Sequence, residues 1–261
     1  MKQNSKKGIL VVSFGTSHLD TLDKTIGAIE RRIQQQYPQE ILYRGFTSGM
    51  ILAKLKKKEQ LPMMNVSEAL EKMHEDGIET VSIQPTHIIH GVENDKMVEQ
   101  IKAKSHLFKK IVIGNPLLSS VEDYKAAIHA VMETIALEEE EGLVFMGHGT
   151  DHYANAAYPA LEYTAHTLGY DRVLVGTVEG FPQLKHVMTG LETRNIRKVK
   201  LMPFMVVAGD HAKNDMAGEE DSWKTILEKA GYQVEVILKG LGEMKGIQNL
   251  FVEHLREAKE Q

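Results

Sequence analysis

Unbroken apolar runs alternate along the chain with segments whose apolar residues recur every three or four positions. Residues 8–14 (GILVVSF) and 143–146 (LVFM) are continuous runs, the pattern of strands buried on both faces of a parallel sheet. Between residues 19 and 36, Leu22, Ile26, Ile29 and Ile33 share one helical face, so that segment is expected to lie on the sheet as one helix. Further strands are predicted over 40–46, 80–84 and 110–114, then over 172–177, 198–205 and 232–238. Helices are predicted over 50–58, 65–76, 93–104 and from Ser120 to the acidic segment, then over 153–168, 181–189, 219–230 and 247–258. Asn65 with Glu68 forms a capping-box pattern, and Gly77 closes the helix that it opens.

Strict alternation of strand and helix defines an α/β protein with parallel sheets. Two internal similarities divide it. Residues 12–18 (VSFGTSH) resemble 145–152 (FMGHGTDH), and 81–97 parallel 199–216 through Pro85/Pro203 and Gly91/Gly209. The expected architecture is two similar domains, each a four-stranded parallel sheet flanked by helices, over residues 1–138 and 139–261. The last helix would pack back on the first domain, and the loops after equivalent strands would line a cleft between the two. One continuous eight-stranded sheet is the alternative.

Composition narrows the chemistry. The 261 residues carry a formal net charge of −5, which argues against a general nucleic-acid binder. There is no cysteine, so any metal must be held by histidine or oxygen donors. The amino terminus is polar, and no stretch reaches membrane-spanning length, so the expected location is the cytoplasm. P-loop, dinucleotide-binding, zincin and serine-hydrolase signatures are absent, and the glycines of 240–246 have the wrong spacing for a dinucleotide.

Ligands of open α/β sheets bind beyond the carboxyl ends of the strands. His148 lies there after the run 143–146, Glu179 after 172–177 and His211 after 198–205, each in a glycine-marked loop. Taken singly, His148 could be a satisfied structural histidine, Glu179 a helix cap and His211 a local hydrogen bonder. Taken together, two imidazoles and a carboxylate at successive strand tips make a set suited to a first-row divalent ion. In the first half, His87, His90 and Glu93 occupy the loop matching that of His211, and one of the two histidines is expected to pack inward. His148 and His152 also have i, i+4 spacing, but Gly149 makes a helical metal pair a poor reading.

These motifs carry a resemblance. Residues 14–17 (FGTS), 146–150 (MGHGT), 178–182 (VEGFP), 202–205 (MPFM) and 208–212 (AGDHA) resemble the anaerobic CbiK-type cobalt chelatases, relatives of ferrochelatase among the class II chelatases. The resemblance implies two α/β domains around a tetrapyrrole cleft. It implies a sirohydrochlorin cobaltochelatase of cobalamin synthesis, with Co2+ as substrate metal (Fe2+ or Ni2+ being alternatives) and no organic cofactor. It implies that His148 serves as metal ligand and proton acceptor, with Glu179 and His211 as the other ligands. Glu93 would be a catalytic carboxylate, while Phe14, Gly15, Thr16, His87, Glu93, Thr177 and Val178 would line the tetrapyrrole site. Neither nucleic acid nor membrane is an expected partner, and a homo-oligomer is left open. The competing readings are a ferrochelatase acting on the same tetrapyrrole and a non-enzymatic cobalt or nickel carrier.

Overall fold

The computed structural model describes residues 5–58 and 63–260, so the polar residues 1–4 lie outside the description. The chain divides into two units, Met1–Ser119 with Gln248–Gln261, and Ser120–Ile247. In the first, β1 (Lys7–Ser13), β2 (Ile41–Phe46), β3 (Thr80–Pro85) and β4 (Lys110–Ile113) form a parallel sheet in the order β2-β1-β3-β4. Helices α1 (Leu19–Lys24), α2 (Ile26–Gln36), α3 (Gly49–Lys58), α4 (Val66–Glu75) and α5 (Val92–Lys104) connect these strands. The second unit opens with α6 (Val121–Met132). Its strands β5 (Glu141–Gly147), β6 (Val173–Thr177), β7 (Lys198–Pro203) and β8 (Gln233–Val236) are ordered β6-β5-β7-β8. Here the connections are α7 (Ala157–Thr167), α8 (Leu184–Thr193) and α9 (Trp223–Lys229); α10 (Lys245–Arg256) then leads to a two-residue strand, β9 (Lys259–Glu260).

The central strands are buried because helices cover both faces. Ile9, Leu10, Val11 and Val12 in β1, and Leu143, Val144, Phe145 and Met146 in β5, have no exposed surface. This explains why both read as solid apolar runs. The two sheets share one register as well as one strand order. Lys7 pairs with Thr80 and Val12 with Pro85; in the second unit Glu141 pairs with Lys198 and Met146 with Pro203. Ser13 faces Phe46 as Gly147 faces Thr177. The similarity seen along the sequence is therefore a duplication of backbone geometry.

Several details depart from the sequence expectation, among them the helix expected over 181–189, which runs over Leu184–Thr193. The division falls at Ser120 rather than at residue 139, with α6 in the second unit. The first sheet has a fifth strand, β9, antiparallel to β4 through Val112 and Ile113; two residues carry no periodicity to read. The helix expected over 19–36 is interrupted at Thr25, whose buried hydroxyl donates to the Thr21 carbonyl at 2.6 Å. A threonine hydroxyl that competes for a helical carbonyl bends the chain in this way. Finally, the helix expected from residue 219 begins at Trp223, where the Ser222 hydroxyl accepts from the Thr225 N–H at 3.2 Å. A serine acceptor of that kind is what fixes a helix start.

Glycine 176 in β6 exists for packing. A Cβ there would lie 2.7 Å from both the Trp223 ring and Val187 Cγ2. Trp223, the chain's one tryptophan, is nearly buried over this strand. Gly176→Ala is expected to cost about 1–3 kcal/mol through overpacking and to shift tryptophan emission. Urea unfolding followed at that emission checks both; an unchanged midpoint would show that the strand and helix are not in contact as described.

Candidate metal centre

His148 stands one residue beyond β5, and its placement is set by backbone. Gly147 cannot carry a side chain, because a Cβ would enter the ring of buried Tyr158. Burial pushes the Tyr158 phenol up to about 12, against the opposing pull of the His148 and Gly149 N–H groups. Gly149 follows with φ +81°, a conformation that side chains rarely adopt. A Cβ on it would lie 2.5 Å from the Gly180 nitrogen. The loops after β5 and β6 are therefore in direct contact.

That contact prolongs the sheet pairing past its strands. Val178 N donates to Gly147 O at 3.1 Å, and Glu179 N to His148 O at 2.8 Å. Asn155 ties the same loops together. Its Oδ1 accepts from Thr150 N at 3.1 Å, and its Nδ2 donates to Phe181 O at 2.6 Å. Glu179 Oε2 consequently lies 3.7 Å from His148 Nδ1, with both side chains roughly half exposed. His148 Nδ1 is also 2.9 Å from its neighbour's carbonyl, Gly149 O.

The third loop brings in His211. It leaves β7 through Phe204, whose N–H donates to Met146 O at 2.8 Å. His211 then immediately precedes a single π turn, Ala212–Met216. Its ring lies edge-on to that of His148, with centroids 4.6 Å apart. Its Nδ1 is 2.7 Å from Asp215 Oδ2. One donor atom from each of His148, Glu179 and His211 falls within 4.8 Å of the others. Metal–ligand bonds of about 2.0–2.2 Å require only a small closure of these side chains around one ion. Asp215 engages Nδ1 of His211 and leaves that ring's Nε2 for a ligand, while Nδ1 of His148 lies near both Gly149 O and Glu179 Oε2.

The first unit repeats this scaffold with other side chains. Thr47 N donates to Ser13 O at 2.9 Å and Ser48 N to Phe14 O at 3.2 Å, and Gly15 has φ +99°. Thr16 Oγ1 accepts from His18 N at 3.1 Å, as Thr150 Oγ1 does from His152 N at 3.1 Å. Asp95 N bonds Gly91 O as Lys213 N bonds Gly209 O. By this correspondence Phe14, Ser48 and Glu93 occupy the positions of His148, Glu179 and His211. The backbone is common to both units; the metal-type donor set belongs to the second.

The residues expected to line a tetrapyrrole site are placed unequally. Phe14 is exposed, and Glu93 is partly so, with Oε1 2.7 Å from Lys96 Nζ and Oε2 buried. Burial opposes ionisation of Glu93, but Lys96 and Thr47 outweigh it and hold the carboxyl below its usual range. Thr16 and Thr177 are buried, and their hydroxyls are spent on the turns, Thr177 Oγ1 donating to Pro182 O at 2.9 Å. Gly15 lies against the Phe46 ring, and Val178 packs on the core of the second unit. His87 is the inward-facing histidine of its loop, while His90 lies at the surface 2.8 Å from Ser119 Oγ. Asn155, Tyr158 and Asp215 escaped the sequence reading, although the i, i+4 spacing of His211 and Asp215 was there to be seen.

Two duplicated α/β sheets with an open His/Glu/His set at the strand tips have the architecture of a chelatase. SirB from Bacillus subtilis, solved with Fe3+, superposes with a TM-score of 0.69 at 17% identity, covering 97% of this chain and 95% of that one. At that identity the likeness speaks for the fold alone. The cobalt chelatase (CbiK) family model matches residues 7–260, and the chain belongs to that family. It is 41% identical over 255 residues to the sirohydrochlorin cobaltochelatase of Salmonella typhimurium, covering 97% of this chain and 96% of the relative. It is 32% identical to the sirohydrochlorin cobaltochelatase CbiKC of Nitratidesulfovibrio vulgaris, covering 97% and 91%.

His87 makes stability depend on acid. Burial, only partly offset by Glu93, lowers its pKa from 6.5 to about 4. The unfolded chain therefore binds a proton that the folded chain refuses, and stability falls as pH drops from 6.5 towards 4. That interval corresponds to about 3 kcal/mol. His87→Gln is expected to flatten this part of the pH dependence by a comparable amount. Denaturant midpoints of both proteins across the range check it, and parallel curves would place His87 outside the core.

Proposed function

We propose that this protein is a sirohydrochlorin cobaltochelatase, inserting Co2+ into the macrocycle with His148, Glu179 and His211 as the ligands that hold the incoming metal. The convergence of these three donors at neighbouring strand tips carries the reading. The names of its relatives within the family support it. So do some of the exposed apolar side chains. Phe14, Leu19, Met50 and Val92 in the first unit, and Tyr153 and Phe181 in the second, are exposed on loops and helix starts beyond the carboxyl ends of the strands. Apolar groups held in water at a sheet's ligand-binding edge suit the faces of a flat ring.

Metal insertion removes two pyrrole protons and strips water from the ion. The three donors hold Co2+ while leaving coordination positions open to the ring nitrogens. Glu179 offsets part of the cation's charge. His148, with Nδ1 against Gly149 O, presents Nε2 as a base suited to neutral pH. One nitrogen cannot hold metal and proton together, so His148 serves these roles in sequence. Glu93, kept ionised by Lys96 and Thr47, is assigned to the same reaction. The macrocycle's carboxylates meet a chain of net charge −5. Their binding therefore depends on local donors such as the N–H groups at the start of α5, where Gly91 supplies no side-chain cap.

Anaerobic incubation with sirohydrochlorin and Co2+, followed by the absorbance of the product, tests the proposal. The protein is expected to accelerate insertion, and His148→Ala to slow it by about 10²–10⁴-fold, the usual worth of a positioned base. Fe2+ run in parallel reads the metal preference. Cobalt binding with no acceleration of insertion would make the protein a carrier instead.

A further inference from the structure

We propose that Asp215 is a positioning residue for metal capture: its carboxylate accepts the Nδ1–H of His211 and so fixes the tautomer of the ring, with Nε2 left bare for the metal. The inference rests on the metal-site reading above and adds to it a residue that neither the motifs nor the expected ligand set contains.

The geometry is specific. His211 Nδ1 and Asp215 Oδ2 are 2.7 Å apart, the length of a strong charge-assisted bond. A carboxylate can only accept, so the proton of the neutral ring must reside on Nδ1 and the lone pair on Nε2. Without such a partner an imidazole divides itself between two tautomers and turns about its side-chain bonds, and only part of that population can bind. A carboxylate behind a ligating histidine removes both freedoms and makes the free nitrogen a better donor.

Three further observations point the same way. His148 has its own Nδ1 beside a backbone carbonyl, Gly149 O at 2.9 Å, so the two rings are arranged alike by different means. The π turn Ala212–Met216 carries Asp215 at its fourth position, where the side chain reaches His211. The corresponding segment of the first unit is the regular helix α5, where Glu93 stands for His211 and buried Met97 for Asp215. Imidazole and carboxylate thus occur together in the second unit, and both are replaced in the first.

The pair is about a third to a half exposed, so as a mere surface ion pair it would contribute little to stability. That separates the two roles experimentally. Metal-free protein is titrated with Co2+ alone, and the ligand-field absorption of the bound ion is recorded for wild type, Asp215→Asn, His211→Ala and the double variant. Asp215→Asn is expected to weaken Co2+ binding by about 10–100-fold, the usual effect of losing such a partner. It should alter the absorption bands while leaving the melting temperature of the metal-free protein unchanged. Asp215→Glu, which keeps an acceptor, should recover part of the loss.

In the His211→Ala background the same change should cost nothing more; a further loss would make Asp215 a ligand itself and overturn the proposal. If His211→Ala weakens binding while Asp215→Asn binds as wild type, the positioning role falls and the metal site stands. If His211→Ala has no effect, the metal-site reading fails first. Should the amide variant not fold, Asp215→Ser enters the same cycle with the same outcomes.

Discussion

The whole site depends on backbone pairing that continues for two residues after the β-strands have ended. Parallel strands normally diverge where their pleat stops. Here Gly147 and His148 go on accepting from Val178 and Glu179, so the half-exposed side chains of His148 and Glu179 emerge beside each other. The continuation needs chain without side chains at the points of contact. Gly147 under Tyr158 and Gly149 against Gly180 supply it. A candidate metal site formed in this way depends little on attraction between its own members, since His148 and Glu179 are too exposed for their pairing to organise anything. The order is imposed from below, by sheet and loops.

The duplication separates what the scaffold does from what the side chains do. Both units prolong the pairing, turn through a positive-φ glycine and cap the turn with a threonine hydroxyl. Only in the second do the three projecting positions carry borderline donors. The first has an exposed aromatic ring, a partly exposed carboxylate and a buried serine whose hydroxyl accepts from Ile51 N, with His87 buried near the carboxylate. The fold therefore provides a platform of three converging positions, and chemistry is chosen by what is set upon it.

Most of the architecture could be read from the sequence because strands buried on both faces leave solid apolar runs, and their helices leave amphipathic ones. What stayed hidden had little periodicity or depended on contacts remote in sequence. β9 is two residues long; the break at Thr25 hangs on one hydroxyl; and α6 joins the second unit through packing that no local pattern records. The same divide runs through the site. The convergence of His148, Glu179 and His211 was legible because each follows a strand in a glycine-marked loop. Asn155 and Tyr158 were not, since their roles arise only when separate loops touch. Thr16 and Thr177, expected from the resemblance to line the tetrapyrrole site, are buried with their hydroxyls engaged in the turns.

The lack of cysteine bears on how the proposed site would release its metal. Thiolates clasp cobalt, nickel and zinc so firmly that a cargo ion would stay where it first landed. On the proposed reading the ion is held by nitrogen and oxygen donors alone, which grip these metals less firmly. A protein that must surrender its metal at every cycle is served by that looseness. Retention would end its usefulness after a single encounter.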